Sequence, residues 1–166
     1  AVTFNHSTNS VYQLSNAYNL YYPVLSITNI SPSSQTVNSG DATTRQITIV
    51  NAGNGRVAAF TLADIYASSI DVSAVNLGTL NATHDTISLS GTDFNGVGNN
   101  DDWFNTNESI TITETIDVSG CTASTITSTI NDSWGCDGST VQSNNSYASI
   151  TIALKTPNFA VGISKE

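Results

Sequence analysis

The oxygen-rich stretch GVGNNDDWFNTNES, residues 96–109, gathers groups able to hold a cation. Asn99, Asp101, Asn105 and Glu108 place side-chain oxygens at spacings resembling a calcium loop, with alternate residues turned inward and a late Glu able to bind through both oxygens. Asp93 and Asn95 would add oxygens from the preceding strand end. The same residue types tolerate left-handed turns, so the stretch reads equally as a turn between strands. Catalysis is its weakest use: glycoside hydrolysis needs two positioned carboxylates beside a substrate cleft, and the spacing indicates none. Cys121 and Cys136 form the second chemistry-bearing set. They flank one predicted strand and are expected to meet at one end of a hairpin as a structural disulfide, contributing roughly 3 kcal/mol and implying an oxidising compartment. Trp134, two residues before Cys136, would share its strand face and cover the sulfurs. Two cysteines without a nearby histidine fall short of a zinc site. Neither His6 nor His84 lies in a motif suited to activating a cysteine nucleophile.

The elements that must position these residues read at period two, with almost nothing at period 3.6. Strands are expected over 24–30, 45–52, 58–66, 85–94, 109–118, 122–132 and 146–155, separated by turn signals such as SPSS, NSGD, NAGNG and DVSG. Seven short strands at this spacing predict an all-β, immunoglobulin-like antiparallel β-sandwich; a small antiparallel barrel shares the local pattern. One strand breaks the rule. In SITITETIDV the inward set is Ile110, Ile112, Ile116 and Val118, which places Glu114 in the core, where an unpaired carboxylate is expensive. A bulge over 113–115, an ion pair with Arg45 or Arg56, or a position beyond the covered part of the sheet would each relieve it; the last is expected. Tyr12, Tyr18, Tyr21 and Tyr22 could make a platform for sugar rings, although aromatic residues on strands more often pack in cores or between domains.

Composition narrows the partners. The 13 Asp and Glu against 4 Lys and Arg give a net charge of −9, which repels phosphate backbones and anionic membranes. Nucleic acid and membrane insertion are therefore not expected, and no run of 18 apolar residues occurs. Only 10% of residues are charged, so solubility rests on Ser, Thr, Asn and Gly, a profile of extracellular β-rich proteins. The chain lacks Met and its start lacks the pattern of a signal peptide, as expected for a processed chain or an excised piece. Residues 140–164 resemble residues 10–28, aligning Pro157 with Pro23. On that period, 1–22 would close a preceding repeat, 23–156 would form the sandwich and 157–166 would open the next.

Three stretches carry a family resemblance: ITIVNAGNGRVAAFTL, GNNDDWFNTNESITITETIDVSGC and CTASTITSTINDSWGCDGSTVQ. Their order, with an NxGNG strand end, an acidic loop and a WGC element, resembles the repeat domains of the giant SprB-like gliding-motility adhesins of Bacteroidota over residues 23–156. Asn100 and Asp102 depart from the pattern, where Gly is frequent. The resemblance implies an extracellular, type IX secreted surface filament of tandem Ig-like repeats, non-catalytic and adhesive, with neighbouring repeats, surface polysaccharide or the gliding machinery as partners. A carbohydrate-binding or accessory module of a secreted glycoside hydrolase, and a pilus-like subunit polymerising by strand exchange, are the rival readings. Asp85–Ile87 resembles a short bacterial O-glycosylation motif, which would place Thr86 on a solvent face.

Overall fold

The computed structural model describes residues 3–5, 11–13, 21–65, 69–119, 122–134 and 142–154. Its strands are β1 (Thr3–Asn5), β2 (Val11–Gln13), β3 (Leu25–Ser31), β4 (Ser34–Asn38), β5 (Ala42–Asn51), β6 (Ala59–Ile65), β7 (Ile70–Val75), β8 (Thr79–Leu80), β9 (Thr86–Ser90), β10 (Ser109–Val118), β11 (Ser124–Trp134) and β12 (Gln142–Ala153). Among the described residues β1 and β2 pair only with one another. The remaining strands form two sheets, ordered β3-β5-β10-β7 and β4-β12-β11-β6-β9-β8, packed as a β-sandwich. The expected Ig-like sandwich is thus what forms. Its pairings are antiparallel except one: β4 lies parallel to β12 on the sheet edge.

Alternation fills the space between the sheets. Ile47 and Ile49 on β5, Ile110 and Ile112 on β10, Phe60 and Leu62 on β6, and Ile130 and Trp134 on β11 bury on one side of each strand. Phe60, Phe94 and Phe104 cluster there with ring centroids 5.8–6.0 Å apart. Phe94 reaches that cluster because the expected strand 85–94 stops at Ser90 and turns through a short 3-10 helix, Gly91–Phe94. A second apolar cluster, including Val37, Val72, Ile116, Val118, Ile150 and Ile152, occupies the other end.

A charged layer separates the two clusters. Arg45 and Glu114 face one another in the β5–β10 register, and Asp64 on β6 and Ser128 on β11 approach from the opposite sheet. Arg45 donates to Glu114 Oε2 from Nε (3.2 Å) and Nη2 (2.6 Å), to Ser128 Oγ from Nη1 (3.2 Å), and to Asp64 Oδ2 from Nη2. Glu114 is 0% exposed. The expectation that it lies beyond the covered part of the sheet is therefore wrong; the ion pair with Arg45 is the relief the fold uses. A bulge does occur nearby, between Thr115 and Ile116 where β10 meets β7, but it leaves Glu114 inside. Two carboxylates share one guanidinium, and burial raises the Glu114 carboxyl above the ordinary glutamate range despite the Arg45 charge.

The chain enters and leaves this sandwich at opposite poles. Leu25 pairs with Asn51 near Trp134, whereas Ala153 pairs with Asn38 at the end where β11 begins. β11 is extended for 11 residues, so its ends stand roughly 33 Å apart at about 3.3 Å per residue.

Candidate functional site

The entry pole carries the densest polar network. Asn51 is 0% exposed and fully engaged: Oδ1 accepts from Gly53 N (3.1 Å) and Val24 N (3.3 Å), while Nδ2 donates to Gly55 O (2.8 Å) and Phe104 O (3.0 Å). Asn54 Oδ1 accepts from Tyr22 N (2.9 Å), and Gly55 N donates to Tyr22 O (3.0 Å). Trp134 Nε1 donates to Pro23 O (3.1 Å) and Asn144 Nδ2 to Leu25 O (2.6 Å). NAGNG is thus a clamp on the backbone of the entering segment. Its glycines are required by proximity, since a Cβ on Gly55 would sit 2.8 Å from the Tyr22 backbone and one on Gly53 would collide with Val24 N. Trp134, expected to cover sulfurs, is one jaw of that clamp.

The acidic loop joins the same pole. Asn51 N donates to Glu108 O and Asn107 N to Asn51 O, tying the loop to the clamp. The four residues expected to hold calcium do converge. Glu108 accepts backbone N–H groups at both carboxylate oxygens, Asn99 N at Oε1 (3.1 Å) and Asn105 N at Oε2 (2.7 Å). Asp101 accepts from Trp103 N (3.0 Å), Asn105 Nδ2 (2.9 Å) and Asn99 Nδ2 (3.0 Å), and Asn105 Nδ2 also meets Asn99 Oδ1 (3.2 Å). Partial burial pushes the Asp101 carboxyl up, but the Asn105, Trp103 and Asn99 hydrogen bonds, with the Arg56 charge, hold it below the ordinary aspartate value. Calcium requires six to eight converging oxygens. Here two amide N–H groups point at the carboxylate that would bind it, so the arrangement does not fit the ion. Among the described residues no group of three or more His, Cys, Asp or Glu is placed to hold a metal. Asn100 and Asn107 adopt φ of 61° and 64°, left-handed positions that Asn tolerates. That accounts for Asn100 standing where the resemblance has Gly. Asp93 binds Ser90 N (2.9 Å) at the start of the 3-10 helix and takes no part in the loop.

Beside the loop lies a cleft of about 440 Å³, walled by Tyr21, Asn54, Arg56, Asn99, Asn105 and Thr106. Tyr21 is 69% exposed. The Arg56 guanidinium lies 3.7 Å from the centre of the Trp103 ring, a stacked cation–π contact. Tyr22, also exposed, flanks the entry; Tyr18 and the Tyr12 side chain lie outside the described residues.

The remaining expectations scatter. Thr86 is half-buried on the outward side of β9, with its hydroxyl donating to Asp85 Oδ1 (2.9 Å). His84 contacts Asp71 through Nδ1 (3.0 Å) at the surface, and His6 lies outside the described residues. Cys121 and Cys136 also lie outside them.

No known family model matches the sequence, and no curated protein matches it. Solved structures do resemble the fold. AvmM, described as catalysing macrocyclization in alchivemycin A biosynthesis, aligns at 11% identity over 84% of this chain and 92% of its own, with a TM-score of 0.50. A CARDB domain from Pyrococcus furiosus aligns at 11% identity over 83% and 100% (TM-score 0.48), and a non-cellulosomal cohesin from Archaeoglobus fulgidus at 12% over 72% and 86% (TM-score 0.45). At such identities the likeness concerns the β-sandwich alone.

Proposed function

We propose that this chain is a non-catalytic, adhesive repeat of an extracellular filament of the gliding-adhesin type. The observation that carries the reading is where its motifs meet. NAGNG, the acidic loop and Trp134, far apart in sequence and the basis of the family resemblance, converge on one pole, where NAGNG and Trp134 grip Tyr22–Leu25 and the acidic loop braces Asn51. The chain then leaves from the opposite pole. A module fixed at its entry and leaving about 33 Å away suits an end-to-end string. The low content of charged residues and the net −9 suit an exported surface polymer. On this reading neighbouring repeats are the first partners, secretion is by the type IX route, and the acidic loop is a rigid turn within the clamp.

Antibodies raised against this chain should label intact cells of its source and block their attachment to a solid surface. Antigen confined to the cytosol, or attachment unchanged under saturating surface label, would overturn the proposal.

A further inference from the structure

The cleft at the entry pole points to a ligand class, and we infer that it is a binding site for a neutral glycan, with Tyr21 and Arg56 as its principal contacts. This deepens the adhesive reading and rests on it. The cleft is shallow and open, as suits a glycan chain laid along a surface, and of a size typical for small-ligand sites, which fall in the range of about 300–1,000 Å³. Its floor and walls are chemically mixed in the way a sugar demands. Tyr21, 69% exposed, offers a ring face to the C–H side of a pyranose at low cost in side-chain freedom. Arg56, stacked on Trp103, is held as a flat donor fork, and its guanidinium makes no hydrogen bond to another described residue. Vicinal hydroxyls match such a fork. Thr106 adds a hydroxyl on the same wall.

Charge selects among glycans. Asp101 stands near Arg56, whose charge adds slightly to the hydrogen bonds that lower its carboxyl. Asp102 is a further exposed carboxylate on that loop, and the chain as a whole carries −9. An acidic polysaccharide would approach against that field. A neutral chain meets no such barrier and can use the stacked ring and fork together.

The rigid clamp explains why such a site would be preformed. Tyr21 immediately precedes the gripped Tyr22, and Arg56 immediately follows Gly55, whose N–H binds Tyr22 O. The two proposed contacts are therefore held by the same few hydrogen bonds.

Calorimetric titration of the chain with cellohexaose, mannohexaose and maltohexaose, with hexagalacturonate beside them, tests the site. At least one neutral hexaose should bind, and Tyr21→Ala or Arg56→Ala should each weaken it by roughly tenfold or more, about 1.4 kcal/mol. Arg56→Lys should fail to restore affinity, since an ammonium lacks the fork. Tyr147→Ala, in a different groove, should leave affinity unchanged. Thermal melts establish that each variant folds. Binding of hexagalacturonate alone, an effect of Tyr147→Ala equal to that of Tyr21→Ala, or no binding of any hexaose by folded chain would each overturn the inference. The last result leaves the surface labelling and its block of attachment untouched, whereas cytosolic antigen would sink the adhesive reading whatever the chain binds.

Discussion

Arg45→Met tests whether the charged layer stabilises the sandwich as a unit. Methionine keeps an unbranched stem and removes the cation, so Asp64 and Glu114 are left buried without their counter-charge. The guanidinium loses two hydrogen bonds to Glu114 and one each to Asp64 and Ser128. Summed at about 1.5–3 kcal/mol per charge-assisted bond, that would be about 6–12 kcal/mol, as large as the whole stability of many domains. The orphaned acids escape by taking up protons, which caps the loss. The expected cost is therefore the one seen when a buried pair loses a partner, about 3–5 kcal/mol. In a domain of this size each kcal/mol moves Tm by about 2–4 °C, so the midpoint should fall by roughly 6–20 °C. Urea unfolding at neutral pH, followed by tryptophan emission, gives the difference directly. The companion variant replaces the whole layer, with Arg45→Met, Asp64→Leu and Glu114→Leu together; it should match wild type or exceed it by about 1–4 kcal/mol. A loss below about 1 kcal/mol in the single variant, or a triple variant as damaged as the single, would refute the reasoning.

Burial raises the Glu114 and Asp132 carboxyls above their ordinary 4.5 and 3.8, so their contribution is complete below the unfolded values and is lost as pH rises through the folded ones. Urea midpoints should thus fall as pH climbs above the ordinary glutamate range, and Glu114→Gln should flatten that fall; an unchanged slope in the variant would contradict the assignment. Asn51→Ala strips four hydrogen bonds from the clamp and leaves Val24 N, Gly53 N and Gly55 O wanting, while Phe104 O keeps Val57 N; at about 1–3 kcal/mol for each group left unsatisfied, a destabilisation of at least about 3 kcal/mol is expected in urea, and a neutral variant would sink the clamp. Because the loop's carboxylates are satisfied by N–H groups, melting curves with calcium and with chelator should superimpose, while Gly98→Ala, whose Cβ would collide with the Glu108 carboxylate, should lower Tm in both.

All seven strands expected from alternation form, because each has a buried face wide enough to impose period two. β4 and β7 escaped notice for the converse reason. β4 buries one hydrophobic side chain, Val37, on a sheet edge, and β7 buries only Ile70 and Val72. The charged layer was also written in the chain. Arg45 is in phase with Ile47 and Ile49, Asp64 with Phe60 and Leu62, and Glu114 with Ile112 and Ile116. Three charges in phase with three apolar stripes predict a buried cluster, but which of them meet is a tertiary fact, since 69 residues separate Arg45 from Glu114. The acidic loop was legible as a convergence of Asn99, Asp101, Asn105 and Glu108. What spacing could not give was the direction of the amides, whose N–H groups turn an oxygen-rich list into a self-satisfied turn. Asn51 stands in the sequence only as part of the NAGNG turn signal, because a carboxamide shows no sign in one dimension that it will bind three separate segments.

On the proposed reading, in which the module is pulled through its ends, the placement of the clamp has a mechanical consequence. Force applied at the exit acts along β12, whose 12 residues pair antiparallel with β11 from Ser124↔Ile152 to Trp134↔Gln142 and parallel with β4 from Ser149↔Ser34 to Ala153↔Asn38. Tension along that axis loads both ladders in shear, so their bonds must yield together rather than one after another. At the entry, the backbone of Tyr22–Leu25 is held from three sides by NAGNG, Trp134 and Asn144 before β3 begins to pair with β5. That clamp compensates for a weakness. β3 is an edge strand with a register shift between Ile27 and Asn29, and alone it would be the first ladder to open under load. Fixing the chain ahead of the weak strand moves the load onto Asn51 and Trp134, which are rooted in the phenylalanine-rich core, and that is the arrangement a repeat needs if it is to pass force from one neighbour to the next without unfolding.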